Sequence, residues 1–311
     1  MDPTILVIGA TGNTGKNVLR TLPGLLATAG SKYRILGLTR STSHPVSQEL
    51  AQLPGVEMVE KDWTRIDSAW LRDQNVVRAF VAPHNLAHQF YDESTLLVAM
   101  LHAGVKYVVK VSTMLEFLGP ANPVFYGRAH WAIEEMLSQP EFDGMQWTSL
   151  RPNVFTSAFL YPAAHWVKNF RATGERGPLQ LMVAADAPVS LIDPDDVGRA
   201  GAALLALEDA SQHHKGRYVL RGADDVTGNE IVKLVEEYSG TQVPHTEFKA
   251  TRMLDAMLGD YPASAPASIA AGCEFVWQGK CTTTGVPTAA EIAKLAPPQI
   301  TTKEAFERLL K

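Results

Sequence analysis

The feature that most constrains this chain is a short apolar run that leads directly into three regularly spaced glycines. The run is Thr4–Ile8, and Gly9, Gly12 and Gly15 follow it in the pattern G-x-x-G-x-x-G. Glycine is required where a chain turns tightly, where backbone approaches a pyrophosphate and where a helix packs on a strand; the N–H groups at the helix start then bind the anion. The segment predicts a dinucleotide-binding turn. Its predicted cofactor-binding residues are Gly9, Thr11, Gly12, Asn13, Thr14 and Gly15.

Short apolar runs alternate with helix-like stretches through the first half of the chain. Such alternation is typical of a parallel sheet with helices on both faces. The runs at 76–81 and 107–111 are nearly continuous in apolar residues, as strands buried on both faces require. The pattern favours an α/β fold with a doubly wound parallel sheet of the Rossmann type over a sandwich. The predicted strands are 4–8, 33–39, 56–60, 76–81, 107–112 and 147–152, and the predicted helices are 15–22, 45–52, 68–72, 93–103 and 127–137.

The second half of the sequence is less regular, and its strongest signals mark helix starts. Residues 196–207 form a predicted helix with Asp195 as its N-cap. The Pro/Ala/Ser-rich stretch 261–267 is a predicted surface loop or a short insertion on the ligand side. Three pairs have the capping-box spacing, in which a hydroxyl and a carboxylate each bond a free backbone N–H. These pairs are Thr227 with Glu230, Thr288 with Glu291, and Thr301 with Glu304.

The length of the chain, 311 residues, suggests two domains at about 150 residues each. We expect a cofactor-binding Rossmann domain over 1–155 and a mainly substrate-binding region over 156–311. The stretch from about 188 to 210 is expected to pack back on the Rossmann domain. The two predicted regions are therefore interleaved along the chain, since a segment of the second packs on the first.

The composition is that of an ordinary globular protein, with 46% hydrophobic and 20% charged residues and a net charge of -5. The negative balance argues against nucleic acid as a partner. No run of about 18 apolar residues is present, and no basic segment precedes the first strand, so we expect no membrane association and a cytoplasmic location. Cys273 and Cys281 lack the spacing and histidine companions of a zinc site, which predicts reduced thiols and no metal.

The choice of dinucleotide depends on the end of the second predicted strand, where a carboxylate would bind the ribose 2′-hydroxyl of NAD. Arg40 and Ser41 stand there instead, followed by Thr42 and Ser43. A guanidinium and hydroxyls suit a 2′-phosphate, so we expect NADP as the cofactor. The alternative is a solvated surface arginine. Asp62, after the third strand, fits a contact with adenine or a simple turn.

Five segments, in order, resemble the NmrA-like family of the atypical short-chain dehydrogenase/reductase superfamily. They cover most of the first 235 residues, whereas 261–287 has no match. The segments are GATGNTG at 9–15, VKVST at 109–113, WTSLRPNVF at 147–155, VSLIDPDDVGRA at 189–200 and LRGADDVTGNEI at 220–231.

This resemblance implies a Rossmann domain that binds NADP and a smaller C-terminal region that closes over the nicotinamide. It also implies which residues form the nicotinamide pocket. Similar proteins include quinone and isoflavone-type reductases, redox sensors and enzymes of fungal specialised metabolism, so fold and cofactor transfer better than reaction. The implied pocket residues are Ala82, Pro83, Thr113, Asn153 and Phe155.

The family also implies a catalytic Tyr whose phenol exchanges a proton with substrate, followed four residues later by a Lys that lowers the tyrosine pKa. Tyr126 has the right offset here, but His130 takes the place of the lysine. His130 is a candidate acid, base or ribose contact, or else a packed histidine. Tyr126 is a candidate proton donor, or else a packing residue.

Further candidates follow the predicted strands or line an aromatic stretch. Glu116, after the fifth strand, is a candidate base or ammonium ligand, with a solvated loop glutamate as the alternative. His84 and Met114 follow the carboxyl ends of the fourth and fifth strands, where ligands bind in such folds. Tyr161 and Trp166 belong to an aromatic stripe that either contacts a flat substrate or packs in the core.

Three functions are compatible with this pattern. The first is an NADPH-dependent reductase of a small aromatic or polycyclic metabolite in specialised metabolism. The second is a non-redox enzyme, which performs a condensation, cyclisation or isomerisation by acid–base catalysis and retains NADP without turnover. The third is a non-catalytic sensor of the NADPH/NADP ratio, and only this function requires a protein partner.

Overall fold

A seven-stranded parallel sheet forms the centre of the computed structural model, which describes residues 2–259 and 261–311. The described strands are β1 Thr4–Ile8, β2 Arg34–Thr39, β3 Val56–Glu60, β4 Val76–Val81, β5 Tyr107–Val111, β6 Gln146–Pro152, β7 Leu179–Leu181, β8 Val189–Ser190, β9 Gly216–Leu220, β10 Asp225–Val226 and β11 Thr246–Phe248. The described helices are α1 Gly15–Thr28, α2 Pro45–Leu50, α3 Ser68–Asp73, α4 Gln89–Ala103, α5 Phe125–Leu137, α6 Thr156–Phe159, α7 Tyr161–Thr173, α8 Pro194–Ala206, α9 Gly228–Ser239, α10 Met253–Met257, α11 Ala265–Trp277, α12 Ala290–Leu295 and α13 Thr302–Leu310.

The order of the large sheet is β3-β2-β1-β4-β5-β6-β9, so the direction of winding reverses between β1 and β4. Ile5 lies opposite Ile35 of β2 on one side and Arg78 of β4 on the other. In such sheets ligands bind outside the carboxyl ends of the strands at this reversal. The predicted doubly wound Rossmann fold is confirmed.

Alternate side chains of β1 enter two different cores because successive residues of a strand point to opposite faces of the sheet. Ile5 and Val7 pack with α1 and α8, whereas Leu6 and Ile8 pack with α4 and α5. Helix α8 thus lies on the same face as α1, although about 180 residues separate their starts. A strand buried on both faces explains the unbroken apolar run in the sequence.

A third core lies beyond the carboxyl ends of β5 and β6. It contains Met114 and Phe117 from the loop after β5, together with side chains of α7, α9, α11 and α13. Two small sheets, β8 with β10 and β7 with β11, belong to this layer. The C-terminal helices therefore cover the edge of the sheet at which ligands bind.

Several predicted boundaries need correction. Helix α8 starts at Pro194 with Asp193 as its N-cap, not Asp195, because proline suits the first helical position and the Asp193 carboxylate accepts from the Asp195 N–H. Helix α11 begins at Ala265, inside the predicted loop. Helix α1 continues through Pro23, which forfeits one backbone hydrogen bond, and α4 starts at Gln89, four residues before the prediction.

Two of the three predicted capping boxes are confirmed, at Thr227 with Glu230 and at Thr301 with Glu304. The third, at Thr288 with Glu291, is wrong. The Thr288 hydroxyl accepts a hydrogen bond of 2.9 Å from the Arg221 N–H, and α12 begins later, after Ala289. A long-range contact therefore takes the hydroxyl that the local pattern assigned to a helix cap.

No helix in the described ranges is both long enough and apolar enough to cross a membrane. The side chains of His, Cys, Asp and Glu in those ranges also form no group of three that can hold a metal ion.

Candidate cofactor and substrate site

The glycine turn lies at the reversal of the sheet, and its backbone leaves no room for side chains. Gly9 has φ +78°, and a Cβ there would lie 2.3 Å from the Ala82 carbonyl oxygen at the end of β4. A Cβ on Gly15 would lie 2.1 Å from the Gly9 carbonyl oxygen. In the described chain no side chain caps the first turn of α1, which follows Thr14. The turn therefore fits a pyrophosphate, which needs close backbone approach and free N–H donors.

Arg40 and Ser41 lie at the end of β2, one strand away from the turn. Arg40 is exposed, and its guanidinium has no hydrogen bond or ion pair within residues 2–259 and 261–311. The Ser41 hydroxyl lies 2.8 Å from that of Ser43. An unpaired guanidinium beside two hydroxyls is suited to a phosphate. The Glu60 carboxylate also lies here and accepts from the Thr42 backbone N–H at 3.3 Å. The sequence pattern did not predict this contact, because Glu60 belongs to β3.

Asp62 acts as a local cap in this structure. Its carboxylate accepts from the side chain and the backbone N–H of Thr64, at 2.8 and 3.0 Å. These two hydrogen bonds are the main cause of its lowered pKa. The geometry is that of the turn residue, which was one of the two alternatives for Asp62.

A cavity of about 250 Å³ opens between the carboxyl ends of β5 and β6 and the C-terminal helices. The segment 261–287, which matched no family pattern, supplies part of its wall through α11. The predicted residues Thr113, Met114, Tyr126, Asn153 and Phe155 all line the cavity. The other described lining residues are Asn85, Ser112, Phe117, Pro152, Val154, Ala158, Phe159, Met182, Leu254, Leu258, Ile269, Cys273 and Val276.

The described lining of this cavity carries no charged side chain. Its two titratable groups are Tyr126 and Cys273. Burial raises the pKa of the Tyr126 phenol and raises the pKa of Cys273 to about 11, so both groups are neutral at pH 7. Such a cavity accepts a neutral ligand, because an unpaired charge would lose its hydration there.

Two buried polar atoms of the lining have no hydrogen-bond partner in the described part of the chain. They are the Ser112 hydroxyl and the Asn153 side-chain oxygen. The Asn153 nitrogen is held by the carbonyl groups of Ser190 and Cys281, which fixes the orientation of the amide. Because buried polar groups are almost always hydrogen-bonded, these two atoms are natural contacts for a ligand.

Tyr126 lies in the first turn of α5 with its ring against two phenylalanines. The ring centroid is 5.9 Å from that of Phe117 and 5.3 Å from that of Phe125, both edge-on. Its hydroxyl makes no hydrogen bond within the described residues. The aromatic contacts position the ring at the cavity, and the hydroxyl is free to bond a ligand.

His130 is buried behind the cavity, at 2% exposure, and is not one of the described lining residues. Its Nδ1 lies 3.1 Å from Nζ of Lys110, which projects from β5, and its Nε2 lies 3.0 Å from Oδ1 of Asn85. Burial first, and then the Lys110 charge, hold the His130 pKa well below its usual value. His130 thus occupies the position on α5 where the family usually has a lysine, and Lys110 from β5 contacts it.

Glu116 does not face the cavity. Its carboxylate forms an ion pair with Arg221, whose side chain is 1% exposed and also donates to the Val286 carbonyl oxygen at 3.0 Å. Glu116 thereby joins the loop after β5 to the segment after α11. Because Arg221 neutralises its charge, the carboxylate is not available as an ammonium ligand in this arrangement.

The remaining candidates lie apart from the cavity. His84 is exposed on the loop after β4 and is not a described lining residue. Ala82 lies against Gly9 of the glycine turn, and neither Ala82 nor Pro83, both predicted for the nicotinamide pocket, is among the described lining residues. Tyr161 and Trp166 line a separate surface groove. Tyr161 is 58% exposed, and the Trp166 indole donates to the Gly177 carbonyl oxygen and stacks on Phe170.

A sequence model of the NmrA-like family matches residues 1–306. No curated protein sequence matches the chain. Among solved structures, an NADPH-dependent quinone oxidoreductase (QOR2) from Escherichia coli in complex with NADPH is similar, with 20% identity, a TM-score of 0.71 and coverage of 99% of this chain and 100% of that one. A Citrobacter sp. triphenylmethane reductase in complex with NADP(H) has 19% identity and a TM-score of 0.72, with the same coverage. A leucoanthocyanidin reductase from Vitis vinifera bound to NADPH has 16% identity and a TM-score of 0.66, and 99% of each chain is covered.

Proposed function

We propose that this chain, which belongs to the NmrA-like family, is an NADPH-dependent reductase of a small, neutral, aromatic or polycyclic metabolite in specialised metabolism. The observation that carries the proposal is the uncharged, largely apolar cavity at the carboxyl ends of β5 and β6. A flat neutral molecule fits such a lining. The structural neighbours in complex with NADPH or NADP(H) include a quinone oxidoreductase and a triphenylmethane reductase, whose named substrates are conjugated ring compounds.

The cofactor-binding residues would form two groups, one for the phosphates of the cofactor and one for its nicotinamide. Gly9, Gly12 and Gly15 and the start of α1 would hold the pyrophosphate, and Arg40 and Ser41 the 2′-phosphate. Thr113 and Asn153 would contact the nicotinamide, since both line the cavity. When bound, NADPH supplies a hydride.

The residues of the protein would orient the substrate, exclude water from the cavity and supply a proton. The apolar wall, including Met114 and Phe117, excludes water from the reacting carbon. Tyr126 keeps its proton on Oη at neutral pH because burial raises its pKa. That hydroxyl is therefore the group of the cavity that would deliver a proton to the reduced substrate.

The acid–base alternative has less support from the geometry. It requires charged or titratable groups at the substrate, yet Glu116 is paired with Arg221, His130 lies behind the cavity and His84 lies outside the lining. The sensor alternative requires that the protein bind NADPH and NADP⁺ with different affinities, because two ligands of equal affinity for both conformations shift no population.

Oxidation of NADPH by the purified protein, measured as absorbance loss at the nicotinamide band, tests the proposal. The panel contains naphthoquinones, triphenylmethane dyes and flavonoid-type ketones. We expect at least one aromatic substrate to oxidise NADPH in stoichiometric amounts. Tight NADPH binding without turnover across the whole panel would reject the reductase and favour the sensor or the non-redox enzyme.

A further inference from the structure

We propose that Asn85 donates a hydrogen bond to the substrate oxygen, and that the buried side chains of His130 and Lys110 hold Asn85 in the orientation that this role requires. The proposal rests on the proposed reductase function. It assigns a substrate-binding role to a residue that no sequence pattern singled out. It also gives His130 a positioning role in place of a direct catalytic one.

Asn85 stands where the loop after β4 meets the cavity. It is a lining residue, and its side-chain oxygen lies 3.0 Å from His130 Nε2. In the described part of the chain its amide nitrogen, Nδ2, has no hydrogen-bond partner. An asparagine amide has two N–H donors, so Asn85 is free to donate to a ligand in the cavity.

The orientation of the Asn85 amide follows from a chain of donors and acceptors. Lys110 Nζ lies 3.1 Å from His130 Nδ1, and an ammonium group can only donate. His130 Nδ1 must therefore accept, and a neutral imidazole then carries its single proton on Nε2. Because Nε2 donates, its partner on Asn85 must be the oxygen, which leaves the nitrogen for the cavity.

Two further buried side chains keep Lys110 and His130 in place. Glu93 Oε1 lies 3.3 Å from Lys110 Nζ, and both side chains are fully buried. Gln89 Nε2 donates to Glu93 Oε2 at 3.2 Å and lies 3.3 Å from His130 Nδ1, the ring nitrogen that accepts. It also lies 3.1 Å from His130 Nε2, but that contact is not a hydrogen bond in this tautomer because both groups donate. A buried ion pair is poor evidence for stability, because desolvation offsets the attraction between the charges. Its position directly behind a lining amide points instead to orientation of that amide.

The chemistry of a carbonyl reduction requires a donor at this point. In such a reduction a C–H bond of bound NADPH would break as its hydride forms a new C–H bond at the carbonyl carbon, and the π electrons of the C=O bond would move to the oxygen. Asn85 Nδ2 stabilises that negative charge with a hydrogen bond, and the oxygen then takes the proton of the Tyr126 hydroxyl. NADP⁺ and the hydroxyl product remain, and Tyr126 recovers a proton from solvent. A neutral, water-poor lining strengthens such a donor.

Binding of 1,4-naphthoquinone to the protein saturated with NADP⁺, measured by isothermal titration calorimetry, tests this role without turnover. The Asn85→Asp variant keeps the oxygen that His130 needs but replaces the donor by a carboxylate oxygen. We expect the Asn85→Asp and Asn85→Ala variants to bind the quinone at least about tenfold more weakly, because one hydrogen bond is lost. The control is Gln52→Glu, the same change of amide to carboxylate at an exposed residue far from the cavity.

The positioning role of His130 is tested by a double-mutant cycle on the same binding measurement. His130→Gln retains an acceptor and a donor in the side chain, whereas His130→Leu retains neither. We expect His130→Leu to weaken quinone binding about tenfold and His130→Gln to restore most of it. In the Asn85→Ala background, His130→Leu should have no further effect, because its effect acts through Asn85.

The outcomes separate this proposal from the reductase function. Wild-type affinity in Asn85→Asp, or no quinone binding by the wild type, would overturn the role of Asn85, while NADPH oxidation with another substrate would leave the reductase intact. Binding that depends on Asn85 without any NADPH oxidation would support Asn85 and reject the reductase. An equal loss on His130→Leu in both backgrounds would reduce His130 to a structural residue.

Discussion

Alanine substitution at two glycines of the same helix separates the cofactor turn from ordinary helix propensity. Gly15 is buried at the start of α1 and Gly24 is exposed further along it. A Cβ at Gly15 would lie 2.1 Å from the Gly9 carbonyl oxygen, whereas a Cβ at Gly24 would meet nothing within 4 Å. Favourable nonbonded contacts of carbon lie at about 3.5–4.0 Å, so the turn and the helix must separate by more than about 1 Å in Gly15→Ala.

The structure gives opposite signs for the two variants. Gly24→Ala should raise the free energy of unfolding by about 0.5–1 kcal/mol, because alanine loses less backbone entropy than glycine in a helix. In Gly15→Ala the overpacking costs about 1–3 kcal/mol and outweighs that gain. The displaced turn should also weaken NADPH binding by at least about tenfold, since a hydrogen bond to the pyrophosphate is lost.

Urea unfolding followed by circular dichroism measures the stability, and titration of NADPH fluorescence measures the affinity. Gly24→Ala serves as the matched control and should bind NADPH as the wild type does. Equal stability and equal NADPH affinity in the two variants would refute the assignment of the turn as the pyrophosphate site. A Gly15→Ala protein that is destabilised but binds NADPH normally would limit the glycine to a packing role.

Three further predictions concern single side chains. Arg40→Ala should weaken NADPH binding by about tenfold to a hundredfold in fluorescence titration and leave NADH affinity unchanged, because a charge-assisted hydrogen bond to a phosphate contributes about 1.5–3 kcal/mol; an equal change for both cofactors would contradict it. Glu116→Gln should lower the free energy of unfolding by about 3 kcal/mol in urea titration with NADPH affinity retained, because Arg221 is left buried and unpaired; normal stability with lost turnover would instead make Glu116 catalytic. Cys273 should react with iodoacetamide far more slowly at pH 8 than a free thiol, because burial raises its pKa to about 11 and only the thiolate is nucleophilic, and its rate should rise as pH approaches 11; rapid alkylation at pH 8 would exclude a buried neutral thiol.

The sheet and the glycine turn were predictable from sequence because their signals are local. The strand Thr4–Ile8 and the three glycines lie within about a dozen residues, and both cores form on either side of that strand. A two-residue period and the geometry of a tight turn are properties of short segments. Thr113 and Asn153, which the family resemblance implied for the pocket, lie just beyond the carboxyl ends of β5 and β6 and line the cavity.

The rest of the site depends on distant pairings that no local pattern encodes. Lys110 belongs to a run that predicted only a buried strand, yet it meets His130 20 residues later, and His130 meets Asn85 45 residues earlier. The Thr288 hydroxyl, assigned to a helix cap, instead bonds the backbone of Arg221. A lysine within an apolar strand is the signal that was available, because such a charge is buried only when it has a partner.

The distribution of charge around the cavity is consistent with the proposed neutral substrate, although the chain has a net charge of -5. The charges nearest the cavity are paired behind it, Lys110 with Glu93 and Arg221 with Glu116. The unpaired guanidinium of Arg40 lies at the end of β2, on the far side of the glycine turn. A carboxylate or ammonium on the substrate would lose its hydration in the cavity and gain no counter-charge, because Lys110 and Arg221 each already face a carboxylate. The proposed selectivity for uncharged substrates therefore follows from where the charges are paired. The lining amides and aliphatic hydroxyls, Asn85, Ser112, Thr113 and Asn153, would act through hydrogen bonds, and Tyr126 would also supply a proton.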